Sequence, residues 1–63
     1  MAPVKWLKPR EAAEYCRVDP VTLRRAVAAG RLQAFRIDGG RHVRFRVEDL
    51  DAWLSSSPVE VRA

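Results

Sequence analysis

This chain predicts a small α+β domain in which two short helices are joined by a tight turn, a two-stranded antiparallel wing follows, and a C-terminal helix closes the fold. Three observations carry that expectation. Residues 19–31 spell out a short amphipathic helix with its start and stop. From residue 33 to residue 46 the apolar period changes from helical to alternating, around a Gly-Gly turn. Residues 47–54 return to helical spacing, with three acids among the first five residues.

The elements follow in order. In residues 4–7, Val-Lys-Trp-Leu alternates weakly and suits a short strand or an extended lead-in. Pro9 fits a first helical position, where its missing N–H costs nothing, and opens a helix through Cys16 with Glu11 near its positive end. Ala12, Ala13, Tyr15 and Cys16 supply its packing surface. Arg17, Val18 and Asp19 leave room only for a tight turn, with Val18 as the plug.

Asp19 is a suitable N-cap for the second helix, with its carboxylate placed to accept from first-turn N–H groups. Pro20 follows at the first helical position, and Gly30 is placed for a left-handed close. Leu23, Ala26 and Val27 share one side of this helix. Val21, Thr22, Arg24, Arg25 and Ala28 share the other.

Beyond Gly30, Phe35 and Ile37 alternate with Arg36, and Val43 and Phe45 alternate with His42, Arg44 and Arg46. Asp38-Gly39-Gly40-Arg41 between them is a hairpin signal, because primed turns need positive φ. The expected ribbon is apolar on one side and basic on the other, with Phe35, Ile37, Val43 and Phe45 against the helices. Val47, Leu50, Trp53 and Leu54 face the core from the last helix, and Trp6 belongs to the core or its edge. The order is that of a winged helix-turn-helix. Residues 1–8 are a lead-in, 9–54 the domain and 55–63 a flexible tail.

Sixty-three residues make one modest core, burying about 60% of the unfolded surface. A single cysteine cannot form an internal disulfide, and one His with one Cys offers no zinc-ligand set. Cys16 reads as a reduced core residue, and a reducing, cytoplasmic compartment is expected. No signal core or membrane-length apolar run is present in the sequence. Without a nucleophile–base pair, no enzyme, cofactor or metal is expected.

The net charge of +4 is unevenly placed. Residues 17–46 carry eight arginines against Asp19 and Asp38, a net +6, whereas residues 47–63 sum to −3. Basic charge gathered over a folded segment points to a polyanion, and ten arginines against two lysines favour bidentate contacts to phosphate or guanine. Arginine reads guanine edges in the major groove, while Thr or Val contacts the thymine methyl. The expected DNA-contacting residues are therefore Val21, Thr22, Arg24, Arg25 and Ala28 on the second helix. Arg36, Arg41, His42 and Arg44 join them from the wing, and Lys8 and Arg10 from the start of the first helix. Arg46 is placed to pair with Glu48 or Asp49 instead.

Residues 7–15 (Leu-Lys-Pro-Arg-Glu-Ala-Ala-Glu-Tyr), 18–25 (Val-Asp-Pro-Val-Thr-Leu-Arg-Arg), Gly30-Arg31-Leu32, Gly39-Gly40-Arg41 and 49–54 (Asp-Leu-Asp-Ala-Trp-Leu) resemble the excisionase family. These are small MerR-like winged-helix proteins of phages, plasmids and actinobacteria, and the resemblance covers nearly residues 6–54. It implies that the second helix enters the major groove and the wing the adjacent minor groove. Thr22, Arg24 and Arg25 would then be groove contacts and Arg41 the wing contact. It also implies a recombination directionality factor at the bacterial nucleoid, a DNA-bending partner of an integrase that binds DNA as cooperating copies. A small MerR-like transcription regulator or phage repressor using the same domain is the alternative; an ordinary MerR-type sensor, with a long dimerisation helix after Leu54, is not expected. Two positions depart from the family pattern. Lys8 replaces the usual Ser or Thr before the first proline, and Arg17 stands where Gly is usual in the turn.

Overall fold

A computed structural model describes residues 5–56. The observed order is β1 (Trp6–Leu7), α1 (Pro9–Cys16), α2 (Pro20–Ala28), β2 (Phe35–Ile37), a 3₁₀ turn (Asp38–Gly40), β3 (His42–Arg46) and α3 (Val47–Ser55). This is the expected winged helix-turn-helix, with one addition. Trp6 pairs with Arg46 and Leu7 with Phe45, so the lead-in contributes a third antiparallel strand and the sheet order is β1-β3-β2. Most of the expected tail, residues 57–63, lies outside the described residues.

Both helix starts use a proline at the first position, but neither preceding residue caps through its side chain. Lysine has no acceptor to offer. Instead the Glu11 carboxylate accepts the Lys8 backbone N–H at 2.8 Å, half of a reciprocal capping pair. The expected Asp19 carboxylate cap is not made; the Asp19 carbonyl accepts the Leu23 N–H at 3.1 Å.

Both helices close with the same backbone geometry. After α1, Arg17 sits at φ 58° and the Val18 N–H donates to the Ala13 carbonyl at 3.1 Å. After α2, Gly30 sits at φ 76° and the Arg31 N–H donates to the Ala26 carbonyl at 2.9 Å. These are Schellman closures, which need one left-handed residue each.

The core joins all layers. Leu7, Ala12, Ala13, Cys16, Leu23, Ala26, Leu32, Phe45 and Leu50 are buried, and Val18, Val27, Ala34, Val43, Val47 and Trp53 pack against them. Three expected packing residues are exposed instead: Trp6 at 47%, Tyr15 at 46% and Leu54 at 46%. Tyr15 turns outward to donate its hydroxyl to Asp51 Oδ1 at 2.6 Å, tying α1 to α3 from outside.

The wing differs from expectation in its faces. Phe35 pairs with Arg44, Arg36 with Val43 and Ile37 with His42. Directly opposed residues share a face of an antiparallel sheet. Leu7, Phe45, Val43 and Arg36 therefore lie on one face, and Trp6, Phe35, Ile37, His42, Arg44 and Arg46 on the other. Phe35 and Ile37 are not on the core side, and Ile37 is 43% exposed. The apolar-against-basic ribbon gives way to two mixed faces.

Candidate nucleic-acid interface

The proline start and Schellman close of α2 fix a helix of 9 residues, and its 3.6-residue period divides it into two sides. Leu23 and Ala26 are buried and Val27 half-buried, whereas Val21, Thr22, Arg24, Arg25 and Ala28 are exposed. The expected outward side is thus presented to solvent as a set.

Between α2 and the wing runs an open groove of about 780 Å³. Leu23, Val27, Ala34, Val43 and Phe45 form an apolar floor. Pro9 and Arg10 from the start of α1 line one end, Pro20, Arg24 and Ala28 the α2 wall, and Arg36 the wing wall. Arg36 is there because the register turns it to the same face as Val43. A Cβ placed on Gly40 would lie 3.9 Å from the Arg36 Cδ, so the arginine stem runs beside the wing turn.

The turn itself is tight. Asp38, Gly39 and Gly40 have φ of 53°, 68° and 87° in succession, a run that two glycines and a residue tolerant of the left-handed region permit. Arg41 follows, exposed at the tip.

Electrostatics separate the guanidinium groups into free and engaged. Among the described residues, only His42 and Arg46 have a carboxylate within 4 Å of a basic nitrogen, and the ion pairs are those of Arg46. Arg46 donates from Nε and Nη2 to both carboxylate oxygens of Asp49, at 2.7 and 3.0 Å, and its Nη1 lies 3.4 Å from Glu48 Oε1. The Asp49 hydrogen bonds hold the Arg46 guanidinium above its ordinary pKa despite partial desolvation. It is a structural residue, as the sequence suggested. Arg10, Arg24, Arg25, Arg36 and Arg41 have no carboxylate within ion-pair distance among the described residues, so their charge is available to a ligand.

The expected contact residues thus fall into three groups. Arg10, Arg24, Ala28 and Arg36 meet at the groove. Lys8, Val21, Thr22, Arg25 and Arg41 are exposed on α1's cap, α2 and the turn that border it. His42 and Arg44 lie on the opposite face of the sheet from Arg36, which corrects the expectation that Arg36 and Arg44 share an outer side. Arg44 Nη1 donates to the Val43 carbonyl at 2.8 Å, and His42 Nε2 stands 3.8 Å from Asp38 Oδ2. The sequence reading also missed Leu32 as a core member and the exposed pairing of Trp6 with Phe35.

Among the described residues no group of His, Cys, Asp or Glu could hold a metal ion, and no helix is long and apolar enough to cross a membrane. Cys16 is buried, and that burial pushes its thiol pKa up, away from reactivity.

A tight two-helix corner, an outward α2 side carrying free arginines and a wing beside it define a helix-turn-helix unit of DNA-binding type. The helix-turn-helix domain family model matches residues 6–58, and the chain belongs to that family. No curated protein matches it.

Proposed function

We propose that this protein binds duplex DNA with α2 in the major groove and the wing tip in the adjacent minor groove, and that it serves as an excisionase. One observation carries the DNA reading: Arg24 of α2 and Arg36 of the wing flank a single groove, with Arg10 at its end and no carboxylate engaging them among the described residues. Thr22, Arg24 and Arg25 are the major-groove contacts, and Arg41 reaches the minor groove or its bordering phosphates. Arg10, Arg36 and Lys8 hold the backbone, which positions the protein without reading sequence. Single winged units bury little surface, so several copies bind neighbouring sites and bend the DNA between them.

The excisionase assignment rests on the resemblance across residues 6–54. In this role the protein catalyses nothing; it shapes attachment-site DNA at the bacterial nucleoid so that a partner integrase runs excision rather than integration. The test is a gel-shift and recombination assay with purified protein. A ladder of bent complexes on attachment-site DNA is expected, with excision only when both proteins are present. Binding to a promoter and altered transcription without integrase would make it a MerR-like regulator or phage repressor instead.

A further inference from the structure

The face of the sheet turned away from the groove is built as a surface in its own right. Strand register places Trp6 beside Arg46, Phe35 beside Arg44 and Ile37 beside His42. The first two pairs set an aromatic ring next to a guanidinium, and the third sets an aliphatic side chain next to an imidazole. Neighbouring pairs along one strand face stand about 7 Å apart, two residues of an extended chain.

This face is separate from the core. Phe35 packs against none of the core residues; its ring meets Trp6 edge-to-face at 5.2 Å, and the Arg46 guanidinium sits 4.8 Å from its centroid. Asp49 and Glu48 fix Arg46 in turn. The chain of contacts holds Phe35 and braces Trp6, yet leaves Trp6 47% exposed and Ile37 43% exposed. A tryptophan held in place and left open to water is poised for a planar ligand. Arg44 is half-buried, gives one N–H to the Val43 carbonyl and has no carboxylate within ion-pair distance among the described residues, so its charge is not neutralised by an acidic side chain there.

A planar apolar group and a negative charge, repeated once per unit along a chain, describe a nucleic-acid strand with unpaired bases. Aromatic platforms flanked by arginines bind such strands with little regard for sequence, because every base has a π-face. We propose that the outer sheet face binds single-stranded DNA, with a base stacked on Trp6 and the adjoining phosphate on Arg44. This site is independent of the duplex groove, since the two occupy opposite faces of the sheet.

The test is anisotropy of an end-labelled oligothymidylate of about a dozen nucleotides, titrated with the whole protein in the presence and absence of saturating duplex. The native protein is expected to bind the oligonucleotide with tryptophan quenching and to keep binding it when duplex is present. Trp6→Ala is expected to weaken this binding about tenfold or more, and Arg44→Ala to weaken it and flatten its salt dependence. Trp6→Leu, which keeps an apolar side chain at the sheet edge, guards against loss of fold and is expected to show the same loss. Duplex affinity is expected to stay native in all three variants. If duplex displaces the oligonucleotide, or if folded Trp6→Leu and Arg44→Ala bind it as well as the native protein does, single strands are using the α2 groove and the proposal fails.

Discussion

The two faces of one small sheet use similar residues to different ends. On the inner face Leu7 and Phe45 are buried and Val43 packs against the helices, while Arg36 reaches past them into the groove. On the outer face Phe35 is held by another ring and a guanidinium, and its neighbours Trp6 and Ile37 are open to solvent. The inner face stabilises the fold through burial, which scales with apolar area removed from water. The outer face buries much less and owes its order to pairwise contacts. The arginines do not divide by face: Arg46 is consumed by structure, whereas Arg24, Arg36 and, on the outer face, Arg44 have no carboxylate partner among the described residues.

Truncating one phenylalanine from each face is the most direct attempt to break this contrast. Phe45→Ala is expected to destabilise by about 3–5 kcal/mol, the cost of a buried ring plus the cavity it leaves. For a domain this size that is close to its whole stability. Phe35→Ala forfeits mainly the ring pair and the cation above it, roughly 0.5–1.5 kcal/mol. Urea unfolding followed by circular dichroism distinguishes them, and equal losses would mean that Phe35 belongs to the core after all.

Much of this was legible in the chain. Proline starts, the glycine at position 30 and the change of period around Gly39-Gly40 placed every helix and both wing strands within a residue or two, because those signals are local and steric. Register was the failure. With Ile37 opposite His42, four residues separate the strands and paired residue numbers sum to an odd value. Odd-numbered Phe35 and Ile37 therefore cannot share a face with odd-numbered Val43 and Phe45, and Ala34 and Arg36 take that place. Hairpin loop length fixes this parity, so the turn offered the signal while the alternation of apolar residues on each strand pointed elsewhere. Tyr15 and Leu54 were misplaced for another reason: helical spacing gives a stripe, but how far round it the neighbours reach depends on packing that no single segment encodes.

For the candidate site, arginine substitutions sharpen the free-versus-engaged distinction. Arg24→Ala is expected to weaken specific duplex binding by about 1–3 kcal/mol if it reads a base edge. Arg36→Ala, as a phosphate contact, is expected to weaken binding evenly across sequences and lower the salt slope by about 1. Arg46→Ala should leave the salt slope alone and lower thermal stability instead, because its partners are internal. Fluorescence anisotropy at several salt concentrations measures all three, and a lost salt slope in Arg46→Ala would overturn the division.

The inside–outside contrast recurs on α1, where alkaline pH probes it. Burial raises the Cys16 thiol pKa, whereas the Tyr15 phenol is raised chiefly by its hydrogen bond to Asp51, with desolvation and the Asp51 charge adding to it. In both cases the folded value exceeds the unfolded one. The stability each contributes is therefore complete below the unfolded pKa, about 8.5 for a thiol and about 10 for a phenol, and is lost as pH rises through the folded value. Urea midpoints measured from neutral pH to about pH 11 are expected to fall in that window. Tyr15→Phe should remove the upper part of the fall and leave the lower part, which belongs to Cys16, in place.

The smallest expected effect compares the two helix ends. Both close through a left-handed residue, but α1 uses Arg17 at φ 58° and α2 uses Gly30 at φ 76°. A Cβ at such a φ crowds the following carbonyl, and glycine escapes this. Nothing lies within 4 Å of a Cβ built on Gly30, so the backbone conformation alone sets the difference there. Arg17→Gly is expected to stabilise by up to about 1 kcal/mol, and Gly30→Ala to destabilise by a similar amount. Thermal midpoints should move in opposite directions, by several degrees each for a domain of this length. Movement in the same direction would mean that the Arg17 side chain contributes to the fold something its exposed position does not show.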